Sequence, residues 1–197
     1  FGKKVEWADK HGGPVGKYSI NTLKPVIEEL SEILGQSEYV VQLIQILKDC
    51  FLPELNYEQA MFRFVHRLFD RFGLIVLLPG ESELKRQMIS VLEDDLLNHS
   101  SYKIITESNQ KLEEAGFSNQ AYVRKINLFY LQKGLRERIE REGDIFSVVN
   151  TDLKFSKEEM LEELRNHPER FSPNVILRPL YQEMILPNLA YIGGGGE

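Results

Sequence analysis

The sequence predicts an α/β chain that is mostly helical and carries one small antiparallel sheet. Apolar residues recur at helical spacing in several runs between 21 and 115, three short runs with strand character crowd into 126–149, and glycine or proline punctuates the joins. At 197 residues and 42% hydrophobic content the chain can bury a core. Its net charge of -6, with both signs interleaved, leaves no broad basic surface for nucleic acid or anionic lipid. The longest apolar run, "LIVLLP" at 74–79, is too short to cross a bilayer, and "FGKKVEW" at the start lacks the apolar stretch of a signal peptide. A cytoplasmic protein with neither membrane nor nucleic-acid partners is expected. A single cysteine, Cys50, fits a reducing compartment, and a start on Phe1 suggests a fragment.

Taken in order, "KKVEW" alternates like the end of a strand, and Gly12, Gly13, Pro14 and Gly16 then form a breaker-rich loop and a boundary. Asn21–Leu34 reads as a helix with Pro25 near its first turn and Gly35 as its stop, and Ser37–Phe51 as a second. In "NYEQAMFRFVHRLFDRFG", Asn56 and Gln59 make a capping-box pair and Gly73 ends the run. A rotation of about 100° per residue lines up Tyr57, Met61, Val65, Leu68 and Phe72 as a buried stripe, with Arg63, His66, Arg67 and Asp70 opposite. "GLIVLLP" at 73–79 predicts a short strand, Ser82–Asn98 a helix, and Tyr102–Ala115 another, ended by Gly116. The runs within "INLFYLQKGLRERIEREGDIFSVV" predict a three-stranded meander, and Ser156 with Glu159 a capping box ahead of Met160.

The last stretch is the most chemical. Ser172 before Pro173 predicts a helix start, and Pro179 should bend it or restart it at Leu180, because an interior proline costs about 3 kcal/mol. Arg178 would stand at that kink, either as a fork for a carboxylate or phosphate or as a plain tie to the helix end. "NLAYI" then predicts a strand feeding "GGGGE", whose backbone amides could cradle an anion, although P-loop and dinucleotide spacings are absent and a floppy tail would read the same. Cys50, beside Leu43 and Leu47, reads as a core thiol without a positive neighbour. His66 reads as solvated, His11 and His99 lack telling partners, and His167 before Pro168 suits a local turn contact. The glutamate-rich helices read as solvated faces, and no metal-ligand cluster is visible.

"HPERFSPNVILRPLYQEMILPNLAYIGGGGE" at 167–197 strongly resembles the central signature of the cysteine-adding enzyme family of bacillithiol biosynthesis. "GPVGK" at 13–17, "LFDRFGLIVLLPGESELKR" at 68–86, "NLFYL" at 127–131 and "LRERI" at 135–139 match in order, so the resemblance covers nearly the whole chain. One departure is Gly195, where the family more often has proline. The resemblance implies a Rossmann-type, nucleotidyltransferase-like core that residues 1–20 leave and 167–197 re-enter, with 21–166 as an inserted, connecting-peptide-like helical domain holding the small antiparallel sheet. A coiled coil would lie outside this chain. It further implies a carbon–nitrogen ligase that joins L-cysteine to glucosaminyl malate, with this fragment alone inactive, and it leaves room for ATP or another adenine nucleotide and for a homodimer of the full-length protein.

The resemblance assigns no catalytic residue. By chemistry, Arg178 is the candidate anion-binding fork, Tyr181 and Glu183 polar pocket groups, and Asn188 a positioning donor. Gly193, Gly194, Gly195 and Gly196 are the candidate cradle, and Glu197 a group to orient an amine. The competing expectation is a non-catalytic helical module for binding or oligomerisation, its terminal glycines serving as a linker.

Overall fold

A computed structural model describes residues 2–8, 14, 16–119, 122–190 and 192–193. Two compact units emerge, one formed by Phe1–Leu78 with Gln132–Leu135 and the other by Pro79–Leu131 with Arg136–Glu197. The first holds three helices, α1 (Lys24–Leu34), α2 (Glu38–Cys50) and α3 (Tyr57–Phe69), with α1 packed on α2 and α2 on α3. α1 begins later than Asn21 because Pro25, which has no N–H to give, must fall in a first turn. It stops at Gly35, whose φ of 83° suits a residue without a Cβ and whose N–H reaches the Ser31 carbonyl. The Asn56–Gln59 capping box forms as expected, at 2.9 Å and 3.1 Å.

Ile27, Ile44 and Ala60 are the buried contacts among these helices, and Cys50 is buried with them as expected. The predicted stripe of α3 is half-buried rather than buried, and its last member, Phe72, is 67% exposed beyond the helix end. There the Arg71 guanidinium covers the ring at 4.6 Å. "KKVEW" forms no strand; Trp7 instead packs its ring 5.7 Å from Tyr18 and donates to the Thr22 hydroxyl at 3.1 Å. "GLIVLLP" forms no strand either, and Ile75 is 81% exposed. Its apolar side chains suit a strand covered on both faces, but a strand exists only through a ladder partner, and the described residues supply none.

The second unit carries α4 (Ser82–Arg86), α5 (Ile89–Leu97), α6 (Ser100–Glu114) and a five-stranded sheet. The single helix expected over 82–98 breaks at Gln87, because Gln87 and Met88 bond back to the Leu84 and Lys85 carbonyls in tight three-residue steps. His99, at φ 56°, separates α5 from α6. The meander comprises β1 (Leu128–Gln132), β2 (Leu135–Glu142) and β3 (Ile145–Val148), as predicted. Two short strands missing from the sequence reading flank it, β4 (Lys154–Ser156) and β5 (Phe171–Pro173), giving the order β4-β3-β2-β1-β5. β5 replaces the helix start expected at Ser172, since Ser172 pairs antiparallel with Phe129.

α7 (Lys157–Asn166) opens on the Ser156–Glu159 capping box and buries Met160 and Leu164. Tyr130 joins these layers, with its ring edge-on to Phe171 at 5.6 Å and its hydroxyl donating to Glu163 at 2.5 Å. Arg170 meets the same carboxylate at 2.6 Å. α8 (Arg178–Ile185) is one continuous helix, not a restart at Leu180, because Pro179 lies in its first turn, where no hydrogen bond is lost. Residues 188–190 and 192 form no strand, contrary to the reading of "NLAYI", and Tyr191 lies outside the described residues. Among the described residues no helix is long and apolar enough to cross a membrane.

Burial raises the Glu163 pKa, but the bonds from Tyr130 and Arg170 and the charges of Arg170 and His167 together hold it below the ordinary value of 4.5. A depressed carboxyl stabilises the fold fully above the unfolded value, and that contribution is lost as pH falls through the folded one. Glu163→Gln should therefore be less stable than wild type near neutrality and lose less stability on acidification below pH 4.5, measured by urea unfolding at stepped pH.

Candidate anion-binding site

The second unit gathers three cations around the head of α8. Lys85 on α4 is only 4% exposed, and its ammonium sits 4.6 Å above the Tyr181 ring. No carboxylate among the described residues pairs with it. Since no buried side-chain nitrogen there lacks a partner, this ammonium still reaches solvent. Burial, then the nearby charge of Arg178, push its pKa down to about 8. Arg136 on β2 lies 3.7 Å over the Phe129 ring, and burial followed by Arg178 lowers its pKa as well. Arg178 thus acts on both of the other cations, and no acid among the described residues answers any of the three. Arg178 is exposed and Arg136 half-buried, so the cost of desolvation falls mainly on Lys85, and the like charge beside it favours an anion that would offset both.

The local sequence explains the placement. Arg178 and Tyr181 are three residues apart on α8; Leu177 and Tyr181 are buried, whereas Arg178 is exposed, as are Leu180, Gln182 and Glu183. Tyr181 is fixed by its hydroxyl, which donates to the Pro79 carbonyl at 2.8 Å, and burial pushes its pKa up to about 12. It therefore serves as a neutral floor beneath Lys85. Upstream, Asn174 accepts from the amides of Ile176 and Leu177 at 2.8 Å and 3.4 Å, and its carbonyl accepts from Arg178 at 3.0 Å.

The remaining sequence candidates are placed otherwise. Glu183 accepts from the backbone and side chain of Asn188 at 3.1 Å and 2.6 Å, so these two close the end of α8 on each other. Those bonds hold the Glu183 carboxyl below its usual range. Gly193 is exposed, while Gly194, Gly195, Gly196 and Glu197 lie outside the described residues, as does His11. His66 is exposed, as expected, on a groove of about 370 Å³ that Arg63, Arg67 and Cys50 also line. Two arginines therefore do stand near the Cys50 thiol, a correction to the sequence reading, although burial and then Asp49 still push its pKa up. Reading the sequence missed Lys85 and Arg136. "SELKR" looks like a solvated turn and "LRERIERE" like alternating surface charge, and only the fold shows which of those charges lack partners.

A lysine whose folded pKa lies below its unfolded value destabilises the fold while both states are protonated, and the cost disappears as pH rises through 8 toward 10.5. Lys85→Met should raise the urea midpoint at pH 7 and lose that gain by about pH 10.5, since it replaces a buried unpaired charge with a side chain of similar reach.

Comparison with known proteins agrees with the motifs. A model of the N-terminal Rossmann-like domain of the bacillithiol biosynthesis protein BshC matches residues 1–197. Proteins named "Putative cysteine ligase BshC" are 43% identical over 196 residues in Flavobacterium johnsoniae, 38% over 197 in Cytophaga hutchinsonii and 43% over 201 in Christiangramia forsetii. Each match covers 100% of this chain but only 36–37% of the relative, so the chain spans little more than a third of their length. With the whole sequence matched, the chain belongs to the BshC family of bacillithiol biosynthesis, in its N-terminal Rossmann-like domain.

Proposed function

We propose that this chain is part of a ligase that forms an amide between L-cysteine and glucosaminyl malate, and that Lys85, Arg136 and Arg178 hold an anionic group of the reacting species. The observation that carries the reading is the largely buried side chain of Lys85, whose ammonium meets no acid among the described residues and feels a second cation on α8. Amide formation starts from a carboxylate, which is negatively charged and a poor acceptor until it is converted to a phosphate or adenylate. Both the carboxylate and its activated form carry oxygens that fixed cations stabilise, and a site ordered beforehand does so without reorganisation. An adenine nucleotide such as ATP belongs to this reading as the activator, with Gly193–Gly196 as the segment for its phosphates.

The same reading assigns residues 1–20 and 167–197 to the Rossmann-like core and 21–166 to an insertion, with a coiled coil and a homodimer contact in the rest of the protein. By itself the fragment would then be inactive. The match of the whole chain to the family supports this reading, as do the relatives' names.

Arg178→Ala in the full-length protein, expressed in a strain lacking the gene, should cut bacillithiol production well below the wild-type level while the circular dichroism spectrum stays that of the wild type. Normal thiol levels would remove Arg178 from the site.

A further inference from the structure

A buried polar chain ends at the head of α8. Asp95 on α5 and Asn127 before β1 are 0% and 1% exposed, and they meet in two bonds. The Asn127 backbone N–H donates to Asp95 Oδ2 at 2.6 Å and its side-chain amide to Oδ1 at 3.3 Å. That amide also donates to the Arg124 carbonyl at 2.7 Å, while Asn127 Oδ1 accepts from the Arg124 N–H at 3.2 Å. The same Oδ1 accepts from the Asn174 amide at 3.0 Å, and the Asn127 carbonyl accepts from the Asn174 N–H at 2.9 Å. Asn174 then turns its own oxygen to the amides of Ile176 and Leu177, the residues immediately before Arg178.

Every donor of the Asn127 side chain is used, which fixes the orientation of its amide and, through it, that of Asn174. An apolar core would hold α8 as firmly at lower cost, since a buried carboxylate serving neutral donors gains little stability. What the chain supplies is direction, because hydrogen bonds define angles that apolar packing leaves loose. Resting on the reading of Arg178 as an anion-binding residue, we infer that Asn174, oriented by Asn127 and Asp95, is a positioning residue that aims the first turn of α8, and hence Arg178, at the anion held with Lys85.

The test is a double-variant cycle in the full-length enzyme, reading KM for cysteine and for glucosaminyl malate together with kcat and unfolding midpoint. Arg178→Ala first identifies the substrate whose KM depends on that cation; if neither KM rises, the anion-site reading itself fails. Given a rise, Asn174→Ala should raise the same KM about fivefold with kcat changed by less than about twofold, the size expected for a lost turn cap. In the Arg178→Ala background it should add nothing, because the group it aims is gone. Asn174→Ser, which keeps an acceptor for the turn amides, should fall between wild type and Ala, and it carries the comparison alone if the alanine variant does not fold. A folded Asn174 variant with unchanged KM, or effects that multiply in the double variant, would overturn the inference while leaving the Arg178 reading intact.

Discussion

A lysine side chain only 4% exposed, whose ammonium reaches solvent but meets no counter-charge among the described residues, is the constraint around which the second unit is arranged. Lys85 lies 4.6 Å over the Tyr181 ring, and a ring face recovers only part of the lost hydration. Arg178 adds repulsion rather than relief. Neutral partners hold the supporting groups in place, with Tyr181 bonded to the Pro79 carbonyl and Asn174 to Asn127. Two acids of the same unit have other partners, Glu163 serving Tyr130 and Arg170 and Glu183 serving Asn188. The result is positive charge that the described residues leave without an answer, in a scaffold otherwise well supplied with pairs. That pattern supports the proposed binding site over structural ion pairing, where each charge meets its opposite within the fold.

Family membership and this electrostatic pattern support each other. The proposed amide-forming reaction would need anions of low intrinsic reactivity to be gathered, and fixed cations in a partly dry setting would do so without rearranging. The residues of the proposed cluster are drawn from α4, β2 and α8, elements far apart in sequence, and the sheet edge at β5 places the head of α8. β5 itself is only three residues long, so its position depends on Phe171 and Pro173, which are buried against β1.

Much of this was legible in the sequence wherever the determinants are local. Both capping boxes, at Asn56 and at Ser156, formed because a short side chain and its third neighbour satisfy each other without help from the rest of the chain. The three central strands were readable from their turns, Gly134 and Gly143, both of which adopt positive φ. Where pairing decides, sequence failed in both directions. "LIVLLP" has strong strand character but no ladder partner among the described residues, whereas "FSP" has little and forms β5 because β1 offers it one. Pro179 was legible as a helix signal but its place was not, since the same residue ends one helix or begins another depending on where the preceding turn falls. Of the proposed cluster, Arg178 was a candidate from its chemistry in the sequence. Lys85 was hidden because exposure and the lack of a partner are properties of the fold and not of "SELKR".

The most direct measurement is the titration of Lys85 itself, followed by NMR of isotopically labelled lysine side chains in the full-length protein, with Lys85→Met supplying the assignment. Without ligand its midpoint should lie near 8. If the cluster holds an anionic group, saturating glucosaminyl malate or cysteine must raise that midpoint, because the bound anion favours the charged ammonium. A midpoint that stays in place with both compounds at saturation would contradict the account, as would a free protein in which Lys85 titrates like an exposed lysine.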